Sequence, residues 1–396
     1  MKGRKGRLAI YSDTGGGFGG NEYCAGVLAA AASRDREVCL QHHWQGVTQE
    51  TWSRFVGSDM SAVTLVTVPP ACAPVNPFVE GAWTYGPGRW RAPFVSDRVY
   101  SEGFEQFISI GHGPPPFNRA KAGAQYTHFP LFRPFETCPF ASGSTGMKAR
   151  GRQVIARWYW SRRMQSYRAA FGNSRFTASW IAERWGQPAK VLYPPVAAAP
   201  VENLQRSRRI CAVGRFGRGL VDKCALEMVA AYVDSGLHRE GVSFTVYGGL
   251  GPSEADRAYF EEVRRRSAGF PIELVPNADT DELRRGLSTA IVYWHAAGLG
   301  IDPREQPERL EHFGISVVEA MGHGCVPVVI AAGGPLETVR DGVDGIHCRT
   351  LGDMVGATRR ILSDSEQQRK LAASARERAR QFSHETFTDA LLSAVA

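Results

Sequence analysis

No run of apolar residues in this chain is long enough to span a bilayer, no two cysteines stand at C-x-x-C spacing, and no glycine turn leads into Gly-Lys-Ser/Thr. The first absence argues against a helical membrane protein. The second leaves the cysteines at 24, 39, 72, 138, 211, 224, 325 and 348 as reduced core residues rather than a disulfide frame or a zinc site. The third excludes a P-loop. Low-complexity tracts and short repeats are also missing, and the basic stretch Met1–Arg7 leads into a short strand rather than a secretory apolar core, which predicts a cytoplasmic protein. Acidic residues are outnumbered, 39 against 47 Lys and Arg, for a net charge of +8. That balance suits anionic partners such as phosphates or a membrane surface, although a solvated arginine-rich surface explains much of it. The basic residues are dispersed and no nucleic-acid reading module is present, so nucleic acid is not expected as a partner.

At 396 residues the chain is long for a single core. Its first half alternates apolar strands (8–12, 37–44, 62–69, 105–110, 124–130, 189–195) with helical or irregular segments, and a second series follows at 208–214, 243–248, 272–275, 289–294, 326–332 and 345–348. Branched, continuously apolar strands between helices predict parallel sheets covered on both faces. The Pro- and Ala-rich stretch 194–208 reads as a linker. The expected fold is therefore α/β, with two doubly wound Rossmann-like domains facing a cleft: residues 1–195, joined by a C-terminal helix at about 378–396, and residues 196–377. The aromatic, Pro- and Gly-rich stretches 76–100 and 112–121 break the rhythm as recognition loops do.

Two segments carry chemistry. The first is DTGGGFGGNE, residues 13–22, in which Gly15, Gly17 and Gly20 have dinucleotide-fingerprint spacing between a strand and a helix. An NAD site of that type needs an acidic residue at the end of the second strand, and here that strand ends Leu40-Gln41-His42-His43, which counts against a nicotinamide enzyme. The second is residues 307–345. Glu311 and Glu319 flank the turn Phe313-Gly314 and a helix beginning near Ile315 or Ser316. Free N–H groups at that N-terminus, with Gly314 allowing close approach, suit an anion. Glu319 is one turn in, within reach of a ribose diol, and Glu311 is placed to touch a sugar. Ser316-x-x-Glu319 also fits an ordinary capping box, which accounts for neither Glu311 nor the later Gly333-Gly334 pair.

These residues resemble the retaining glycosyltransferases of the GT-B fold, the large group called family 4, whose hallmark E-x7-E is matched by Glu311 and Glu319. Likeness extends over most of the chain: Gly19–Glu22 to the family's glycine loop, VGRF at 213–216 to its opening strand of the second domain, and the HFP (128–130) and WHAAG (294–298) segments to members that build lipid-linked oligosaccharides. The resemblance implies a first domain on the acceptor side and a second domain that binds the nucleotide sugar. It implies transfer of a sugar from a UDP- or GDP-type donor to an acceptor hydroxyl with retention. Arg215 and Lys223 would grip the diphosphate, with Arg218 able to share the role, aided by the Gly19-Gly20 loop and the amides of Gly314, Ile315 and Ser316. His128 and Glu311 would orient the reacting sugar, with His112 a rival to His128, and His295 and Phe313 belong to the donor site. Gly248, Val275 and Pro276, at strand ends, are candidate base contacts. No metal and no prosthetic group is implied, and Asp279-Thr280-Asp281, a manganese-type D-x-D, is better read as a helix cap.

The acceptor is a small molecule, a glycan or a lipid-linked sugar. The basic helix pattern at 148–171, with Val154, Ile155, Trp158 and Tyr159 at helical spacing, could lie on the inner face of a membrane or be an ordinary core helix. A nicotinamide enzyme and a non-catalytic binder of nucleotide sugars or lipid surfaces are the competing classes.

Overall fold

A computed structural model of the chain describes residues 6–13, 19–68, 98–131, 147–197, 200–201 and 204–396. Gly15 and Gly17 of the fingerprint, Cys72 and Cys138, and residues 76–97 of the first aromatic loop lie outside that set. The chain divides into two compact units, Met1–Pro195 with His384–Ala396, and Val196–Ser383.

Unit 1 holds a parallel sheet of β1 (Arg7–Ser12), β2 (Glu37–His42), β3 (Val63–Thr67), β4 (Gln106–Gly111), β5 (Ala122–Thr127), β6 (Ala169–Gly172) and β7 (Lys190–Val191). Their order among the described residues is β3-β2-β1-β4-β5-β6-β7. One face is lined by alternate residues such as Leu8, Ile10, Val38, Leu40, Ile108 and Ala124, which pack on the alanine-rich helix Gly20–Ala32. Small residues let that helix sit close. A Cβ on Gly26 would lie 2.4 Å from Val56 and 2.9 Å from Trp52. The C-terminal helix His384–Ala394 seals the same core through Phe387 and Leu391, with the Phe387 ring 5.1 Å from that of Tyr126.

Unit 2 repeats the plan with β8 (Ser207–Val213), β9 (Ser243–Gly248), β10 (Ile272–Pro276), β11 (Ala290–His295), β12 (Val326–Ile330) and β13 (Ile346–Cys348), all parallel, in the order β10-β9-β8-β11-β12-β13. In β11, Val292 and Trp294 enter the core, where the indole N–H of Trp294 donates to Thr358 Oγ1 at 2.8 Å. The period of two sends Tyr293 and His295 to the other face.

Two expectations change. The basic helix ends at Gln165, and β6 follows at Ala169–Gly172 where the pattern predicted helix to 171. Of its apolar residues Tyr159 is buried, whereas Val154 and Trp158 are 66% and 62% exposed. Residues 378–383, expected with the C-terminal helix, pack on unit 2. There Arg378 donates to the carbonyl of Glu337 at 2.8 Å, and the Phe382 ring lies 5.4 Å from that of Phe313.

Candidate active site

In open parallel sheets, ligands bind beyond the carboxyl ends of the strands, where the strand order reverses. In unit 2 that point lies between β8 and β11, and the sequence candidates gather there. His295 ends β11. Gly214 and Arg215 follow β8, and Lys223 precedes the helix Ala225–Ser235. The Lys223 ammonium is ion-paired with Glu311 Oε2, and His295 Nε2 lies 3.3 Å from the same oxygen. Gly214 makes this geometry possible, because a Cβ there would stand 2.5 Å from Lys223 Cγ. The following residue, Cys224, caps the helix in the left-handed region with φ 56° and gives its N–H to Asp222 Oδ1 at 2.8 Å. Such backbone strain persists where the surroundings fix it.

The Glu311 turn is held from below. Gly334 N–H donates to the Glu311 carbonyl at 2.7 Å, and a Cβ on Gly333 or Gly334 would stand 2.3 Å or 2.4 Å from the backbone of residues 311–313. The Gly333-Gly334 pair is therefore a seat for the Glu311 loop. Gly314, with φ 95°, begins the helix Ile315–Gly322 without a side-chain cap. Ser316 does not cap. Its Oγ accepts from the Tyr293 hydroxyl at 2.9 Å, and the capping-box alternative falls because Gly314 is the N-cap and Ser316 lies inside the helix. The amides of Ile315 and Ser316 have no hydrogen-bond partner among the described residues, which leaves the donors an anion needs.

Electrostatics distinguish the two glutamates. Burial alone would raise the Glu311 carboxyl, but the Lys223 ammonium, followed by the His295 contact, outweighs it and holds the group well below its ordinary 4.5. Burial dominates at Glu319 and pushes it up to about 7, against a smaller opposite pull from Arg284. Burial likewise lowers His295, with Glu311 opposing. A carboxyl whose value falls on folding stabilises the folded state in full above its unfolded value, and that contribution is lost as pH falls through the folded value. Glu311→Gln is therefore expected to melt below the parent at about pH 6, with the gap closing towards about pH 3. An equal gap at both pH values in thermal denaturation would show that the ion pair contributes nothing.

Other candidates are placed differently. Arg215 is exposed and, among the described residues, has no ion-pair partner. Arg218, unlike Arg215, is ion-paired, with Asp222 at 2.8 Å and Glu227 at 2.9 Å. Phe313 is 2% exposed, its ring 5.4 Å from that of Phe382. Gly248 abuts Gly214, where a Cβ would lie 1.8 Å from the Gly214 carbonyl, and Val275 and Pro276 sit on the edge strand β10, two strands from the switch point. Asp279 accepts from Glu282 N–H at 2.7 Å as the cap of the helix Thr280–Thr289. Tyr293 was not singled out from sequence. Its signal is its position, two residues before His295 on the same face.

In unit 1, Gly19 caps the helix Gly20–Ala32, and its N–H is taken by Glu22 Oε2 at 3.0 Å, which leaves Gly20 as the first amide of that helix. Burial pushes Glu22 up to about 7. His128 follows β5 and is buried, its N–H bonded to the Gly111 carbonyl at 2.8 Å. Its ring stacks on that of His112, with centroids 5.2 Å apart and planes at 20°, so the two rival histidines form a pair.

Residues 260–378 match the family described as Glycosyl transferases group 1. A GDP-Man:Man(3)GlcNAc(2)-PP-Dol alpha-1,2-mannosyltransferase of Dictyostelium discoideum is 26% identical over 240 residues, 56% of this chain and 45% of that protein. The chain thus spans less than half the length of that relative. A glycosyltransferase of Rickettsia africae has TM-score 0.68 at 12% identity, covering 100% of this chain and 98% of that one. Anabaena HepE, solved with UDP and glucose, has TM-score 0.64 at 14% identity, covering 98% of each chain. The fold is GT-B, built of two Rossmann-like units. Among the described residues, no helix is long and apolar enough to cross a membrane.

Proposed function

We propose that this chain is a retaining, family-4-type hexosyltransferase that moves a sugar from a nucleoside diphosphate to an acceptor hydroxyl without a metal ion. The observation that carries this reading is the Lys223–Glu311–His295 cluster at the unit 2 switch point, beside the open N-terminus of Ile315–Gly322. Transfer breaks the bond between the anomeric carbon and the diphosphate oxygen, so negative charge grows on the leaving group while the sugar becomes cation-like. Lys223, Arg215 and the amides of Ile315 and Ser316 stabilise the first charge, and Glu311 stabilises the second and orients the sugar. The departing phosphate takes the acceptor's proton as the new glycosidic bond forms on the same face. Glu319 holds the ribose diol, and unit 1, with His128 and the Gly19-Gly20 loop, takes the acceptor side.

Matches to proteins named as GDP-mannose-dependent mannosyltransferases and to a structure holding UDP and glucose support a nucleotide-sugar donor of GDP or UDP type. A lipid-linked acceptor is supported by the helix Met147–Gln165, which carries basic residues and no acid and exposes Val154 and Trp158 one turn apart.

A melting panel with UDP, GDP, ADP and NAD tests the reading, because a ligand that prefers the folded state raises the melting temperature. UDP or GDP is expected to give the largest shift, unaltered by EDTA. Stabilisation by NAD alone would reverse the assignment.

A further inference from the structure

The switch point of unit 1 lies between β1 and β4, and it is built with the opposite charge from that of unit 2. Asp13 leaves the end of β1. Its Oδ2 accepts from the consecutive backbone N–H groups of His112 and Gly113, each at 2.6 Å. Gly111 makes room for the carboxylate, since a Cβ there would stand 2.2 Å from Asp13 Cγ. The other oxygen, Oδ1, has a looser partner, Asn21 Nδ2 at 3.4 Å, and that amide gives its shorter bond, 2.8 Å, to Ser12 Oγ. Among the described residues no cation pairs with Asp13.

Two successive amides converging on one point are what a chain offers an anion. Here the chain's own carboxylate occupies them, so an incoming phosphate or carboxylate meets negative charge with the donors already used. A hydroxyl meets the reverse: among the described residues Oδ1 accepts only the long Asn21 contact, and the half-buried His112 imidazole, stacked on His128, adds a ring that accepts or donates. In unit 2 the corresponding place carries the exposed Arg215, which has no ion-pair partner among the described residues, and the Lys223 cluster.

We infer that Asp13 makes the unit 1 switch point a seat for an uncharged, hydroxyl-bearing acceptor, a sugar ring or similar polyol, and rejects acceptors that present a phosphate or carboxylate there. This rests on the reading that the chain transfers glycosyl groups and that unit 1 takes the acceptor. A site that spends its polar groups on a hydroxyl discriminates strongly, and juxtaposed like charges add to the discrimination.

The test compares wild type with Asp13→Asn and, as a second replacement, Asp13→Ser, each checked for folding by circular dichroism. Transfer from GDP-mannose and UDP-glucose is measured to methyl α-mannoside and methyl α-glucoside and to the 6-phosphates of the same glycosides, and GDP and UDP binding is titrated separately. Wild type is expected to favour the neutral glycoside by about 100-fold in kcat/KM. The replacements are expected to shrink that preference to about 10-fold or less, through a raised KM for the neutral acceptor, with nucleotide Kd unchanged within about twofold. A wild type that favours the phosphorylated acceptor, or a preference unchanged in both variants, overturns the inference and leaves the donor reading intact. Failure of both variants to fold assigns Asp13 to the scaffold and overturns it as well. A wild type that binds neither nucleotide and transfers to nothing overturns the glycosyltransferase reading itself.

Discussion

Lys223→Ala is expected to lower kcat/KM for the sugar nucleotide by about 1,000-fold and to weaken binding of the nucleoside diphosphate by about 100-fold. The size of the effect follows from the position of the charge. The ammonium is 22% exposed, so its field is less screened than that of a surface lysine, and it sits at the switch point with the amides of Ile315 and Ser316, which have no partner among the described residues. The dianionic leaving group needs most help as its charge grows, so turnover loses more than binding. Stability also falls, by about 1–3 kcal/mol, because removal of one partner leaves the buried Glu311 carboxylate with only the His295 contact. Lys223→Arg keeps the charge but not the compact ammonium geometry, and is expected to recover part of the binding and little of the turnover. Steady-state kinetics with isothermal titration of GDP and UDP separate the two effects. Lys223→Ala with near-normal turnover would remove the diphosphate from this cluster.

The two parallel sheets were legible because β-branched, continuously apolar strands alternate with helices, and most strands lie within two or three residues of where the pattern put them. The failures have physical causes. β6 is four residues, AAFG, with little branched character, and it follows a basic helix whose periodicity masks the break at Gln165. At the site, Glu311 was legible through its spacing to Glu319 and the intervening turn. Lys223 and His295 were named as donor-site residues, but their contact with Glu311 was not legible, because Lys223 is 88 residues away in sequence and meets it only through the sheet order. Arg215 and Arg218 look equivalent as neighbouring charges. They separate once folding brings Asp222 and Glu227 onto Arg218 and neither onto Arg215. Asp13 was visible only as the residue that opens a glycine run, and its meaning depends on β4 arriving beside β1 with Gly111 at its end.

Glu311→Gln is expected to lower turnover by about 1,000-fold while nucleoside diphosphate binds as tightly as in wild type or several-fold tighter. The opposite signs arise because Glu311 does two jobs. Before the donor arrives, its carboxylate neutralises Lys223, so a diphosphate must win the ammonium against an internal competitor. Glutamine fills the same volume, keeps an oxygen facing His295, and removes the competing charge. Affinity for the anion then holds or rises. During transfer the sugar becomes cation-like, and the same carboxylate, held ionised by Lys223 far below the pH of any assay, supplies the nearby negative charge that the amide cannot. Lys223→Ala lowers both affinity and rate, Glu311→Gln lowers the rate alone, and the double replacement should resemble Lys223→Ala in affinity because the competitor matters only while the ammonium is present. Should Glu311→Gln instead bind GDP and UDP tenfold more weakly than wild type, Glu311 would belong to the nucleotide clamp, and the negative charge beside the reacting sugar would have to come from another residue.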